Sequence, residues 1–370
     1  MAEGSGPQAA PRAAGAPGAP GAPVDAAAPS PPSTYAAAGV DLAGAAEAVR
    51  RLAPHARSTF RPEVLSDIGS FGALTRLPEG LTDPVLVSAT DGAGTKTAVA
   101  SALGRFDTIG IDVVAMCADD VVCLGAEPLL FLDLITVGRV DPSHIEALVS
   151  GLAAGCRQAG CALVGGEVAE HPGLMDPDDW DVGGFVVGVV ERTAVVDGTR
   201  LVRPGDHLIG IPSPGLRCNG YSLARRVLGE DRMAEPAWAG ATTTVGDELL
   251  RPSLVYTPAV LGLVRAVGVH AIAHVTGGGL AANLERVLPP AVDAVVRRGS
   301  WPVPPIFGEI QRRGDVSDDE MERVFNMGVG MVVAVDGGDI DLAAAVLAEA
   351  GHDAVEIGEV VGGAGRVRLS

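Results

Sequence analysis

From Thr34 onward the chain alternates two patterns of polarity: short apolar runs bounded by glycine, and longer stretches whose apolar residues recur three and four apart. The first pattern predicts strands and the second amphipathic helices. DPVLVSATDG (83–92) predicts a strand running into a turn, and TIGIDVVAMCADDVVCLGA (108–126) predicts a helix. PLLFLDLITVG (128–138) reads as a buried strand. Asp141 and Pro142 then supply a cap and a first-turn proline for a helix ending at Gly160. CALVGGEVAE (161–170) and DVGGFVVGVVER (181–192) are further strands, the second apolar enough to be covered on both faces. Past Arg192 the alternation restarts: HLIGIPSPG (207–215) as strand, NGYSLARRVLG (219–229) and PSLVYTPAVLGLVRAVG (252–268) as helices, and AIAHVTGGG (271–279) as a strand turning into LAANLERVLP. Ser317 and Glu320 predict a capping box, after which GVGMVVAVD, DIDLAAAVLAEAG and AVEIGEVV close the chain as strand, helix and strand. Such alternation predicts an α/β protein, and 370 residues suffice for two α/β domains, 34–192 and 193–370.

Composition changes this picture at the start. Residues 1–33 are Ala, Pro and Gly with almost no large apolar side chain, so they cannot bury enough surface to offset their ordering entropy and are expected to form a disordered tail. A formal charge of −19 argues against a nucleic-acid or anionic-membrane partner and leaves a small molecule as the expected one. No apolar run reaches membrane-spanning length, and the N-terminus shows no export pattern. Five cysteines, odd in number and without a CxxC pair, read as small core residues of a reduced, cytoplasmic protein.

Candidate chemistry gathers at strand ends, where α/β proteins bind ligands. Three glycine turns stand there: Asp91-Gly92-Ala93-Gly94-Thr95-Lys96, Val164-Gly165-Gly166-Glu167 and Thr276-Gly277-Gly278-Gly279. None has the Walker A or the dinucleotide spacing. Lys96 is the only lysine in the chain. An ammonium kept where arginine is otherwise used throughout suits a compact point charge against a phosphate oxygen, or else it survives by chance on a solvated loop. Asp91, Asp112, Asp119, Asp120, Asp133, Glu167 and Glu170 cluster near the same turns. A carboxylate in an apolar helix or strand is costly unless paired or metal-bound, so Asp119, Asp120 and Glu167 either hold magnesium or cap backbone and pair with arginines.

Ten blocks in order, TYAAAGVD, FRPEV, GSFGAL, DGAGTK, DTIGIDVVAMCADDVVCLGAEPLLFLD, GCALVGGEVAEHPG, CNGYSLARRVL, HVTGGG, RVLP and FNMGVGM, resemble the phosphoribosylformylglycinamidine cyclo-ligase (AIR synthetase) family over nearly the whole chain from Thr34. The resemblance implies an ATP-binding first domain whose sheet forms a barrel-like interface in a homodimer, and a sandwich-like α/β second domain. It implies ATP-dependent closure of formylglycinamidine ribonucleotide to aminoimidazole ribonucleotide, with ATP and Mg2+ as cofactors. By the same resemblance Asp91, Asp120 and Glu167 are the expected metal ligands. Asp91, Gly92, Gly94, Thr95, Lys96, Gly165, Gly166, Asn219, Thr276, Gly277, Gly278 and Gly279 are expected to line the nucleotide cleft. Lys96 is expected on an ATP phosphate, Asp112 near substrate or nucleotide, and His274 is a candidate for proton transfer or a satisfied structural histidine; His171 reads as a wall or surface residue.

The chain also departs from the family pattern. Ala36 stands where many members carry a lysine, Asp119 where Asn is usual, Arg217 and Cys218 where His and Ser are usual, and Val168 replaces a threonine. These departures keep two alternatives open: a small-molecule kinase of the same superfamily, and a nucleotide-binding paralogue without turnover.

Overall fold

The computed structural model describes residues 34–370; the tail expected over 1–33 lies outside them. Helix α1 (Leu42–Arg57) precedes a four-stranded sheet built from β1 (Pro84–Gly92), β2 (Glu127–Val137), β3 (Ala162–Glu170) and β4 (Trp180–Glu191) in the order β1-β4-β2-β3. Strands β2 and β3 are parallel, joined through α4 (Pro142–Ala159), whereas β4 runs antiparallel to both β1 and β2. Asp141 caps α4 through Ser143 N–H, and Gly160 ends it in the left-handed region at φ 77°, as the sequence predicts. Short α2 (Lys96–Leu103) leaves the β1 turn, and α3 (Asp107–Val122) packs on α4 beneath the sheet. The two helices touch through bare backbone: a Cβ on Gly110 would lie 2.1 Å from Leu152 N, and one on Gly151 would lie 1.9 Å from the Asp107 carbonyl. The other face of the sheet is uncovered and exposes Leu86, Leu134 and Phe185. Within one chain this sheet is open, not closed into a barrel.

The second half is a six-stranded mixed sheet in the order β10-β7-β9-β5-β8-β6, from β5 (Asp206–Pro212), β6 (Val269–His274), β7 (Val292–Val296), β8 (Val329–Asp336), β9 (Val355–Gly362) and β10 (Val367–Leu369). Short α5 (Gly198–Leu201) precedes it. Around it run α6 (Tyr221–Leu228), α7 (Val245–Leu249), α8 (Thr257–Ala266), α9 (Gly279–Glu285), α10 (Pro305–Gly314), α11 (Asp318–Val324) and α12 (Ile340–Glu349). One apolar core spans both halves, joining Ile109 and Val113 to Leu216, Tyr221, Leu249 and Phe307. Helix α3 is the shared element, in contact with β1 and α4 on one side and with α8 and β6 on the other.

Two local expectations change. The helix read from Pro252 starts only at Thr257, because Ser253 and Tyr256 ahead of it turn their backbone N–H groups to two carboxylates of α3, Asp112 and Asp119. At α11 the Ser317 hydroxyl accepts from Glu320 N–H, but the Glu320 side chain pairs with Arg323, so only half of the predicted capping box forms.

Candidate active site

Three acids of α3 point into the junction between the halves, and each meets a different partner. Asp112 is fully buried; its Oδ1 accepts from the backbone and hydroxyl of Ser253 (2.8 and 2.6 Å). Its Oδ2 lies 2.7 Å from Lys96 Nζ, an ion pair whose approach is off the hydrogen-bonding direction. Lys96 is itself fully buried and donates to the carbonyls of Arg251 (2.7 Å) and Arg217 (3.2 Å). The ammonium expected on a phosphate is therefore turned inward, its charge paired with one carboxylate and its hydrogen bonds given to two carbonyls. That explains the survival of lysine in another way. Three acceptors converge on one point, which a compact ammonium can serve and a planar fork cannot. Tyr221 flanks it with its ring centroid 5.6 Å from Nζ.

Asp119, considered as an extra metal ligand, is also fully buried. Its Oδ1 accepts from Tyr256 N–H, Thr257 N–H and the Thr257 hydroxyl, so it caps α8 from a distant helix. Its Oδ2 accepts from Arg217 Nη2 at 2.9 Å in a buried ion pair. The carboxylate holds the Arg217 guanidinium charged against its burial. Here the alternative of backbone capping and arginine pairing is what the structure displays.

Asp120 alone of the three reaches open space, with a side chain 42% exposed and Oδ1 2.7 Å from His274 Nδ1 at the end of β6. Asp91, at the end of β1, accepts from Gly92 N–H at 2.7 Å. Burial pushes the Asp91 carboxyl above the usual range; the Gly92 hydrogen bond opposes this and the nearby Asp120 charge reinforces it. Two acids crowded in this way suit a hard divalent cation, which takes one or two carboxylates and keeps waters for the rest. Glu167 does not join them: β1 and β3 are opposite edges of the sheet. Among the described residues no three acidic, His or Cys side chains converge as a metal group.

The Gly92–Thr95 turn faces the loop through Asn219: Thr95 Oγ1 is 3.2 Å from Ser222 Oγ, and Gly277 approaches the Asn219 amide. Thr276 and the Gly277 and Gly279 carbonyls are bound by Asn283. Asp91, this turn, Asn219, Thr276 to Gly279, Asp120 and His274 thus form one constellation. Beside it lies a cavity of about 370 Å³ that Asp120, His274, Asn283 and Arg286 help line. Gly165, Gly166 and Glu167 instead line a second, larger cavity of about 820 Å³ between α1 and the sheet, with Asp133 and Phe71. Ser253 and Arg251 are site-adjacent residues that no sequence signal marks.

The comparisons decide the family. Residues 72–190 match the description "AIR synthase related protein, N-terminal domain" and residues 203–370 match "AIR synthase related protein, C-terminal domain". The phosphoribosylformylglycinamidine cyclo-ligase of Trichlorobacter lovleyi is 47% identical over 89% of this chain and 95% of its own, and that of Myxococcus xanthus is 48% identical over 90% and 97%. The chain belongs to the phosphoribosylformylglycinamidine cyclo-ligase family. Solved structures share the fold: a thiamine-monophosphate kinase from Stenotrophomonas maltophilia superposes with a TM-score of 0.65 at 21% identity, covering 86% of this chain and 96% of the kinase. The hydrogenase maturation protein HypE in complex with ATP gives 0.61 at 22%, covering 86% and 90%. Against the usual residues of the cyclo-ligase family, the departures at Asp119 and Arg217 are in direct contact, so an added negative and an added positive charge neutralise each other.

Proposed function

We propose that the chain catalyses the reaction for which its relatives are named, ATP-dependent closure of formylglycinamidine ribonucleotide to aminoimidazole ribonucleotide with release of ADP and phosphate. An amide oxygen is a poor leaving group. Transfer of the γ-phosphoryl group of ATP to that oxygen turns it into a phosphate ester of the imidate, and the neighbouring amidine nitrogen attacks the same carbon. The C–N bond closes the ring, the C–O bond breaks, and the amide oxygen departs with phosphate. Such chemistry asks for positioning and charge neutralisation more than for a protein nucleophile.

The observation that carries this is the placing of Asp91, whose carbonyl meets Cys117 of α3 one turn before Asp120, beside a glycine turn at the junction of the halves. These two carboxylates would hold Mg2+, which when bound offsets the repulsion between the phosphates and an acidic protein. Gly92 N–H is held by Asp91, and the rest of the turn, Ala93 to Thr95, is the segment we assign to phosphate oxygens. Arg286 presents a guanidinium to the smaller cavity, suited to an anionic substrate. Lys96 acts from behind: it ties the first residue of α2 to Arg217 and Arg251, fixing the turn against the second half.

The chain acts as a homodimer through the uncovered sheet face, where Leu86, Leu134 and Phe185 would otherwise stay in water. Glu167 lies on that same exposed side and becomes a ligand only if the partner completes its surroundings. No helix among the described residues is long and apolar enough to cross a membrane. The test of the mechanism is oxygen tracing. Substrate labelled with 18O in the amide must deliver the label to inorganic phosphate; label released into water instead rules the mechanism out.

A further inference from the structure

Arg217 lies in the left-handed region, φ 61°, with its side chain fully buried. That conformation costs a non-glycine residue roughly 1–2 kcal/mol, so something must hold it. Its carbonyl accepts from Lys96, its Nη1 donates to the Leu254 carbonyl at 2.9 Å, and the guanidinium carbon sits 4.8 Å from the Tyr256 ring centroid. Nη2 divides its two protons between Asp119 Oδ2 and His274 Nε2, both at 2.9 Å.

The last contact fixes a proton. A guanidinium has donors and no acceptor, so Nε2 of His274 has to present its lone pair. The ring proton is then on Nδ1, which donates to Asp120 Oδ1 at 2.7 Å. We propose that Arg217 is a positioning residue: it holds His274 as the Nδ1–H tautomer and through it aims the Asp120 carboxylate into the cavity, with Asp119 as the counter-charge that keeps the guanidinium in place. Both His274 nitrogens are committed, so the ring orients a carboxylate and transfers no proton to substrate. The tautomer stands on the hydrogen bonds alone; the aim of Asp120 at a cation rests on the site proposed above.

The test compares the parent with Arg217→Met. Because that change strands Asp119, the double variant Asp119→Asn/Arg217→Met is made alongside, leaving no unpaired buried charge. Long-range nitrogen–proton spectra of 15N-histidine protein should show His274 protonated at Nδ1 in the parent and a mixture of tautomers in whichever variant folds. A parent protonated at Nε2, or a folded variant with an unchanged ring, overturns the assignment. Mn2+ alone, titrated by electron paramagnetic resonance, reads the second step. Loss of a partner that orients a metal ligand costs about 10–100-fold in affinity, and the folded variant should show a loss of that size. Unchanged Mn2+ affinity refutes the aiming of Asp120. A parent that binds no Mn2+ refutes the cation site instead, while the tautomer result still stands or falls by itself.

Discussion

Lys96 and Asp112 face each other at 2.7 Å with neither side chain reaching solvent. Helices α2 and α3 carry them, and the carbonyls of Arg217 and Arg251 complete the ammonium, so the pair joins the two halves as well as the two helices. Removing one partner of a buried pair leaves an uncompensated charge, at about 3–5 kcal/mol. Lys96→Met should therefore lower stability to urea by that amount, and Asp112→Asn added to it should recover most of the loss. Lys96→Arg should also destabilise, by about 1–3 kcal/mol, through overpacking. A parental urea midpoint for Lys96→Met would place the ammonium in solvent, contrary to the structure.

Asp120 behaves in the opposite way. Its side chain is part-exposed and its Oδ1 only needs to accept, which an asparagine can still do. Asp120→Asn should leave the melting midpoint within the range of a surface change, about 0.5 kcal/mol. Mg2+-dependent nucleotide affinity should fall at least about tenfold, since even outer partners of a metal ligand are worth that much. Isothermal titration with and without Mg2+ reads both terms. A large loss of stability with intact affinity would make Asp120 a structural residue.

How far the sequence carried this site depends on the kind of contact. Strands β1 to β4 and helix α4 were legible because their signals are local: apolar runs, glycine punctuation, and the Asp141-Pro142 start. The start of α8 was not, because its cap is Asp119, a side chain more than a hundred residues away. Lys96 was singled out correctly as unusual, yet rarity says only that arginine does not fit. It does not say which way the ammonium points. Asp91, Asp120 and His274 are each visible as candidates, and of these the structure joins Asp120 to His274 by a hydrogen bond of 2.7 Å. The resemblance implies Glu167 as a metal ligand together with Asp91, whereas sheet order sets the two on opposite edges. Arg217 stood out as a departure, and its meaning required seeing Asp119 beside it.

Asp133 supplies a prediction in pH. It leans across Gly166, where an added Cβ would collide with its Oδ1, and burial together with the Glu167 charge pushes its carboxyl up to about 7. A carboxyl that binds its proton more tightly folded than unfolded stabilises the fold at low pH and loses that contribution as pH rises from its ordinary value near 4 toward 7. Asp133→Asn should therefore gain on the parent across pH 4 to 7 and hold a constant advantage above it. Melting midpoints of both proteins over that range decide the matter; parallel curves would show an ordinary carboxylate.

The most direct measurement is turnover. Full-length protein incubated with formylglycinamidine ribonucleotide, ATP and Mg2+ should yield aminoimidazole ribonucleotide, ADP and phosphate in equal amounts, and omission of ATP should abolish all three. A phosphorylated product without ring closure would make the chain a kinase on this fold. Folded protein that binds ATP and forms no aminoimidazole ribonucleotide would contradict the proposed function outright.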